Sequence, residues 1–168
     1  MAYVIFDLDG TVIDSTHRQN TLPDGSLDLD HWIAHNKPEM IMRDSLLPLA
    51  TSMKAIKTAG HTVIVCTARA FQVTDQELLA YHGLEYDVYL SRGANIINAD
   101  GSITIGDNRG DAALKIDLLE TYFKGEGFTS ARDANAIMFD DNLKVMAAMI
   151  EIGITCFDAT KQNRRLAA

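Results

Sequence analysis

The chain has 168 residues, long enough for one well-buried core and short for two. Its apolar fraction of 47% is ordinary for a globular domain, and no apolar run approaches the roughly 18 residues that a membrane span requires. A formal net charge of −8 speaks against indiscriminate binding to polyanions, although a local cluster of arginines can still grip one phosphate.

Met1-Ala2-Tyr3 leads straight into apolar residues without a basic stretch, so no signal peptide, no membrane partner and a cytoplasmic setting are expected. The run Val4-Ile5-Phe6 reads as a strand buried on both faces, and it ends in Asp7-Leu8-Asp9-Gly10-Thr11-Val12. Residues two apart in a strand point the same way, so Asp7 and Asp9 start on one side where the strand ends. Two carboxylates side by side at a dry strand end need a cation, a shared proton, or both.

Residues 15–40 are polar and carry Pro23-Asp24-Gly25-Ser26, with room for a short helix around Trp32. They read as a small lid beside the first strand. Helical spacing from Met40 to Ala59 is closed by Gly60, and Pro48 marks a kink or a later start. His61–Cys66 is a second buried strand ending in Thr67-Ala68-Arg69. A helix over Val73–His82 and a strand over Tyr86–Leu90 follow, the latter ending in Ser91-Arg92. Residues 94–106 pattern as a β-hairpin about the turn Asn98-Ala99-Asp100-Gly101. An amphipathic helix over Asp111–Phe123 precedes a strand, Ala136–Phe139, that runs into Asp140-Asp141-Asn142. The helix Leu143–Glu151 and the strand Ile154–Phe157 close the ordered part, and residues 161–168 read as a frayed polar tail. Cys66 and Cys156 each fall inside an expected buried strand and read as reduced core residues.

Strands alternating with helices imply an α/β domain over residues 1–160, a parallel sheet covered on both faces by right-handed crossovers. Ligands in such folds bind beyond the carboxyl ends of the strands. Asp7 with Asp9, Thr67, Arg92, and Asp140 with Asp141 each terminate a different expected strand, on one rim. Taken singly, Thr67 also fits a helix N-cap, Lys115 a solvated charge, and Asp140-Asp141 a cap plus a macrodipole contact. Together they fit a site better.

Asp7-Leu8-Asp9-Gly10-Thr11-Val12, Thr67 after a buried strand, Lys115 on a helix, and Asp140-Asp141 after another strand resemble the four motifs of the haloacid dehalogenase (HAD) superfamily of phosphohydrolases. The resemblance runs from residue 3 to about residue 158. It implies a three-layer Rossmann-like fold with a minimal cap, the hairpin being an addition near the site. It also implies Mg²⁺-dependent hydrolysis of phosphomonoesters through an aspartyl-phosphate. Asp7 would be the nucleophile, and Asp9 the acid and then the base. Thr67 and the Ala68 amide would hold phosphate oxygens, and Lys115 would balance their charge. Asp7, the Asp9 carbonyl and Asp140 would hold Mg²⁺, with Asp141 close behind.

Arg18, Arg69, Arg92 and the run Arg109-Gly110-Asp111-Ala112-Ala113-Leu114-Lys115 are similar to the 3′-phosphatase half of polynucleotide kinase/phosphatases. That likeness implies substrate contacts from Arg18, Arg69, Arg92, Arg109 and Asp111, since a guanidinium binds phosphate in two places at once. No Gly-rich phosphate loop is present, so no kinase half and no ATP use are expected. The expected substrate is a phosphorylated nucleotide or nucleic-acid end, foremost a 3′-phosphate, with a 5′(3′)-mononucleotidase as the alternative. Two further readings are disfavoured: a non-catalytic phosphate-binding module, because every motif residue is present, and a mutase-like transferase, because no full-sized cap covers the site.

Overall fold

A computed structural model of the chain describes residues 1–97, 103–104 and 106–168. Strand β1 (Tyr3–Phe6) is apolar on both faces, with Val4 and Phe6 packed to one side and Ile5 to the other. Beyond it, Ile13–Asp14 (β2) pairs antiparallel with Ser45–Leu46 (β3). The chain between them carries two short helices, α1 (Leu29–His35) and α2 (Pro38–Ile41). This stem closes the insert anticipated at 15–40, which runs on to Asp44.

Helix α3 spans Leu49–Thr58, so Pro48 marks the later start rather than a kink. Proline has no N–H to continue a helix through itself, and residues 40–46 become the end of α2 and β3 instead. Strand β4 (Thr62–Ala70) is longer than expected and carries Thr67, Ala68 and Arg69 within it. Helix α4 (Val73–Tyr81) is capped at Gln72, so Thr67 caps no helix. Strand β5 (Val88–Arg92) follows. Residues Ile96–Ile97 (β6) and Ile103–Thr104 (β7) pair antiparallel as the hairpin requires, whereas its expected turn, with Asp100, lies outside the described residues.

Helix α5 (Asp111–Gly125), strand β8 (Ile137–Asp140), helix α6 (Leu143–Glu151) and strand β9 (Thr155–Asp158) complete the alternation. The tail is not frayed: Ala159–Leu166 forms helix α7, capped by the Asp158 carboxylate, which accepts from the Lys161 amide. Its ordering shows in Asn163, which is buried and bonded to three distant backbone groups.

Five parallel strands form the sheet in the order β5-β4-β1-β8-β9. Leu49, Met53, Leu78 and Leu79 of α3 and α4 cover one face. Leu119 and Phe123 of α5, with Val145 and Met149 of α6, cover the other. The chain winds outward from β1 through β4 to β5, then returns to the opposite side of β1. The switch point therefore lies between β1 and β8, beyond their carboxyl ends. Cys66 is buried on β4, whereas Cys156 is only half-buried on the edge strand β9; both are free thiols.

Candidate active site

Asp7 is the first residue past β1, and its amide donates to the Phe139 carbonyl at 3.0 Å. That bond extends the β1–β8 register and aims Asp7 at Asp140, the last residue of β8. Between them lies the buried Lys115 of α5, whose Nζ is 2.9 Å from Asp7 Oδ1 and 2.7 Å from Asp140 Oδ2. Asp7, Asp140 and Asp141 each bring a carboxylate oxygen within 4.8 Å of the others.

Three carboxylates against one ammonium leave this corner with an excess of two negative charges. Burial, opposed by Lys115 and aided by Asp140, pushes the Asp7 carboxyl up to about 8. Burial and the neighbouring Asp140 push Asp141 up to about 6. A divalent cation would relieve both, and an all-oxygen donor set suits Mg²⁺ rather than a softer metal. The residues fit the ion.

Asp9 lies two residues on, in a tight loop where the Leu8 carbonyl accepts from the amides of Thr11, Val12 and Ile13 at 3.2, 3.0 and 2.9 Å. Gly10 sits at φ +68° with its α-carbon against the Asp141 carboxylate, and a Cβ there would collide with that group. Glycine is required by both torsion and contact. The Asp9 carboxylate receives two parallel 2.7 Å bonds from Arg69 and one from the Ser15 hydroxyl. Burial alone would raise its pKa, but the Arg69 guanidinium outweighs burial and holds the carboxyl below its usual range.

Thr67 and Ala68 line the same cavity as Asp7, Asp9 and Lys115, so the four expected strand ends do converge. The arginines are less uniform. Arg92 donates to the carbonyls of Ala68, Asp107 and Arg109 at 2.9, 2.8 and 2.7 Å and to the Asp111 carboxylate at 3.0 Å. It clasps the loop before α5 onto β4. Arg109 is exposed and paired with Asp107 and Asp117. Arg18 is 1% exposed and lines no part of the cavity. Its guanidinium forms a two-pronged pair with Asp44, at 2.9 Å on each side, and bonds the Asn36 side chain at 3.0 Å. Arg69, 3% exposed, is held by Asp75 at 2.5 Å and Asp44 at 3.0 Å in addition to Asp9. Arg69 lines the cavity as expected of a residue near the substrate, with four bonds to Asp9, Asp44 and Asp75, whereas Arg18 lies behind the wall.

Sequence reasoning missed Ser15, Asp44, Asp75 and Asn163. Nothing in spacing marks Asp44 or Asp75, because each matters through a partner far along the chain. Asn163 had a faint signal: Ala159 and Asn163, four apart, are the buried positions of an otherwise polar helix.

The cavity measures about 1030 Å³ and opens between the lid, the loop before α5 and helix α7. One end holds the carboxylates and Lys115; the lid wall contributes Leu27, Leu29, Trp32 and Ile33. An apolar wall facing convergent charged groups is a usual form of a small-molecule site.

The bacteriophage T5 5′-deoxynucleotidase family matches residues 1–168, the full chain. The chain belongs to that family. Its 5′-deoxynucleotidase from Escherichia phage T5 is 31% identical over 170 residues, covering 95% of this chain and 68% of that protein. In fold the chain resembles haloacid dehalogenase-like hydrolases, as two solved structures show. A chain of a Pnkp1/Rnl/Hen1 RNA repair complex superposes with a TM-score of 0.65 at 24% identity, over 94% of this chain and 42% of that one. The present chain thus spans less than half of the repair chain's length. A haloacid dehalogenase-like hydrolase from Streptococcus pneumoniae gives a TM-score of 0.64 at 14% identity, covering 98% and 91% of the two chains. Both likenesses speak to the fold. Among the described residues no helix is long and apolar enough to cross a membrane.

Proposed function

We propose that the chain hydrolyses the phosphomonoester of deoxynucleoside 5′-monophosphates. The observation that carries this reading is the pairing of the Asp7–Lys115–Asp140 end with an apolar lid wall in one cavity. In this reading the charged groups take the phosphate and the apolar lid residues take the nucleobase. Membership in the T5 5′-deoxynucleotidase family supports the same substrate class.

In this reading Asp7 attacks phosphorus in line, its new O–P bond forming as the bond to the sugar oxygen breaks. Asp9, which Arg69 holds ionised in the free chain, takes up a proton in the substrate complex and gives it to that leaving oxygen. It then takes a proton from the water that hydrolyses the aspartyl-phosphate, releasing inorganic phosphate and restoring Asp7. Lys115 balances charge on Asp7 and the phosphoryl oxygens, and Thr67 with the Ala68 amide holds those oxygens. Asp7, Asp140, Asp141 and the Asp9 carbonyl would hold Mg²⁺, which would neutralise charge on the phosphate.

Hydrolysis of 3′-phosphorylated nucleic-acid ends is the second reading. It rests on Arg18, Arg69, Arg92 and the run Arg109–Lys115, of which Arg18 and Arg69 direct most of their donors to Asp44, Asp75, Asp9 and Asn36. The net charge of −8 also opposes a polyanion. Phosphate release with Mg²⁺ from deoxynucleoside 5′-monophosphates, their 3′ isomers and a 3′-phosphorylated oligonucleotide separates the readings. Turnover is expected for the 5′-monophosphates. Preference for the oligonucleotide would replace the mononucleotide assignment, and an Asp7→Asn variant that still releases phosphate would remove the nucleophile.

A further inference from the structure

We infer that Arg18, Asp44 and Asp75 are positioning residues that fix Arg69, and through it the Asp9 carboxylate, to the state of the lid. The connection is continuous. Trp32 lies on lid helix α1 and Asn36 is its C-cap residue. The Arg18 guanidinium lies 4.1 Å from the Trp32 ring centre and donates to Asn36 Oδ1 at 3.0 Å. Arg18 then grips both oxygens of Asp44. Asp44 stands at the return of the lid, one residue before β3, and its Oδ2 accepts from Arg69 at 3.0 Å. Arg69 holds Asp9 with two bonds.

Asp75 supplies a second hold on Arg69 from α4, outside the lid, at 2.5 Å. Arg18, Asp44, Arg69 and Asp75 are all at least 97% buried, so water cannot substitute for a lost partner. A planar fork held on three sides has one orientation. The acid/base carboxylate is thereby placed by contacts that the lid sets.

This inference rests on the assigned role of Asp9, and the experiment separates the two. Turnover is measured on a deoxynucleoside 5′-monophosphate and on p-nitrophenyl phosphate, which has no nucleobase. Emission of Trp32, the chain's single tryptophan, is recorded alongside. Asp44→Asn and Arg18→Met should shift Trp32 emission and lower kcat about tenfold or more on both substrates, with KM within twofold. Asp75→Asn should lower kcat similarly and leave the emission unchanged. Asp44→Glu should recover part of the loss. If Asp44→Asn does not fold, Arg18→Met decides, since it leaves Asp44 paired with Arg69 and His17.

A folded Arg18→Met with kcat within twofold of the parent overturns the relay. So does a rise in KM at constant kcat, which would make Arg18 a direct substrate contact. Failure of nucleotides with turnover of p-nitrophenyl phosphate would instead remove the substrate class, and the relay would then stand or fall on the kcat for the small ester.

Discussion

The Asn163 side chain in the last helix donates to the Thr11 carbonyl at 2.9 Å, across 152 residues of sequence. The same amide group faces the Gly10 carbonyl at 3.5 Å, and its oxygen accepts from the Leu49 amide at 2.8 Å. One buried side chain therefore ties α7 to the start of α3 and to the loop that follows Asp9. Asn163→Ala strands backbone groups at both ends. A cost of about 2–3 kcal/mol is expected, since each unsatisfied buried group is worth roughly 1–3. For a chain of this size that is a fall in Tm of about 5–10 °C. Phosphate release should drop as well, because the loop carrying Asp9 loses its brace. Removing the residues after Asp158 should reproduce both effects; an unchanged Tm in either variant would show that α7 is not needed there.

Lys115 is the single cation between Asp7 and Asp140, and it is 2% exposed. Lys115→Met leaves two buried carboxylates facing each other without an ammonium. Breaking a buried pair in this way costs about 3–5 kcal/mol. The variant should lose phosphate release by at least a hundredfold and lose stability measured by urea unfolding. Lys115→Arg should rescue neither fully, because a planar guanidinium does not fit a slot cut for one ammonium between two strand ends. A Lys115→Met protein of parental stability would contradict the charge balance described.

Gly10 tests the fit of the metal corner separately from charge. Gly10→Ala keeps every ionisable group, yet its Cβ meets the Asp141 carboxylate and its φ of +68° is strained for alanine. The strain alone is worth about 1–2 kcal/mol. Asp141 must move to admit the methyl group. The Mg²⁺ concentration giving half-maximal phosphate release should rise severalfold, with a smaller change in KM for nucleotide. Titration of activity against Mg²⁺ reads this directly, and an unchanged midpoint would exclude Asp141 from the ion's shell.

The strand ends were readable in advance because a strand buried on both faces announces itself as an apolar run, and the polar residue that stops it is conspicuous. Asp7 and Asp140 are legible in this way, Thr67 by the polar break it makes in a strand that in fact runs on to Ala70, and the sheet brings them into one cavity. Long-range pairing was not readable. An arginine near a motif looks the same in sequence whether it meets a phosphate or a buried aspartate, and Arg18 and Arg69 meet Asp44 and Asp75. Arg92 was placed at the right strand end, but its donors go to backbone carbonyls that shape the rim. Helix α7 escaped notice for a related reason. It buries only Ala159 and Asn163, too little apolar surface to leave a helical stripe.

Metal binding and proton binding should oppose each other at the carboxylate corner. Burial, opposed by Lys115, holds the Asp7 carboxyl up at about 8, and burial beside Asp140 holds Asp141 up at about 6. An unfolded aspartate titrates near about 4. Between about pH 4 and 8 the metal-free native state therefore carries more protons than the unfolded chain. Stability then falls as pH rises through that window, the reverse of the usual paired carboxylate. With chelator present, Tm should decline from pH 5 to pH 8. Saturating Mg²⁺ displaces those protons and stabilises only the native state, so it should raise Tm most at the alkaline end and flatten the decline. Asp140→Asn removes the carboxylate nearest Lys115 and should shrink the Mg²⁺ effect. A chelated protein whose Tm climbs from pH 5 to pH 8 would mean that the excess negative charge at this corner is neutralised by groups other than protons or a cation.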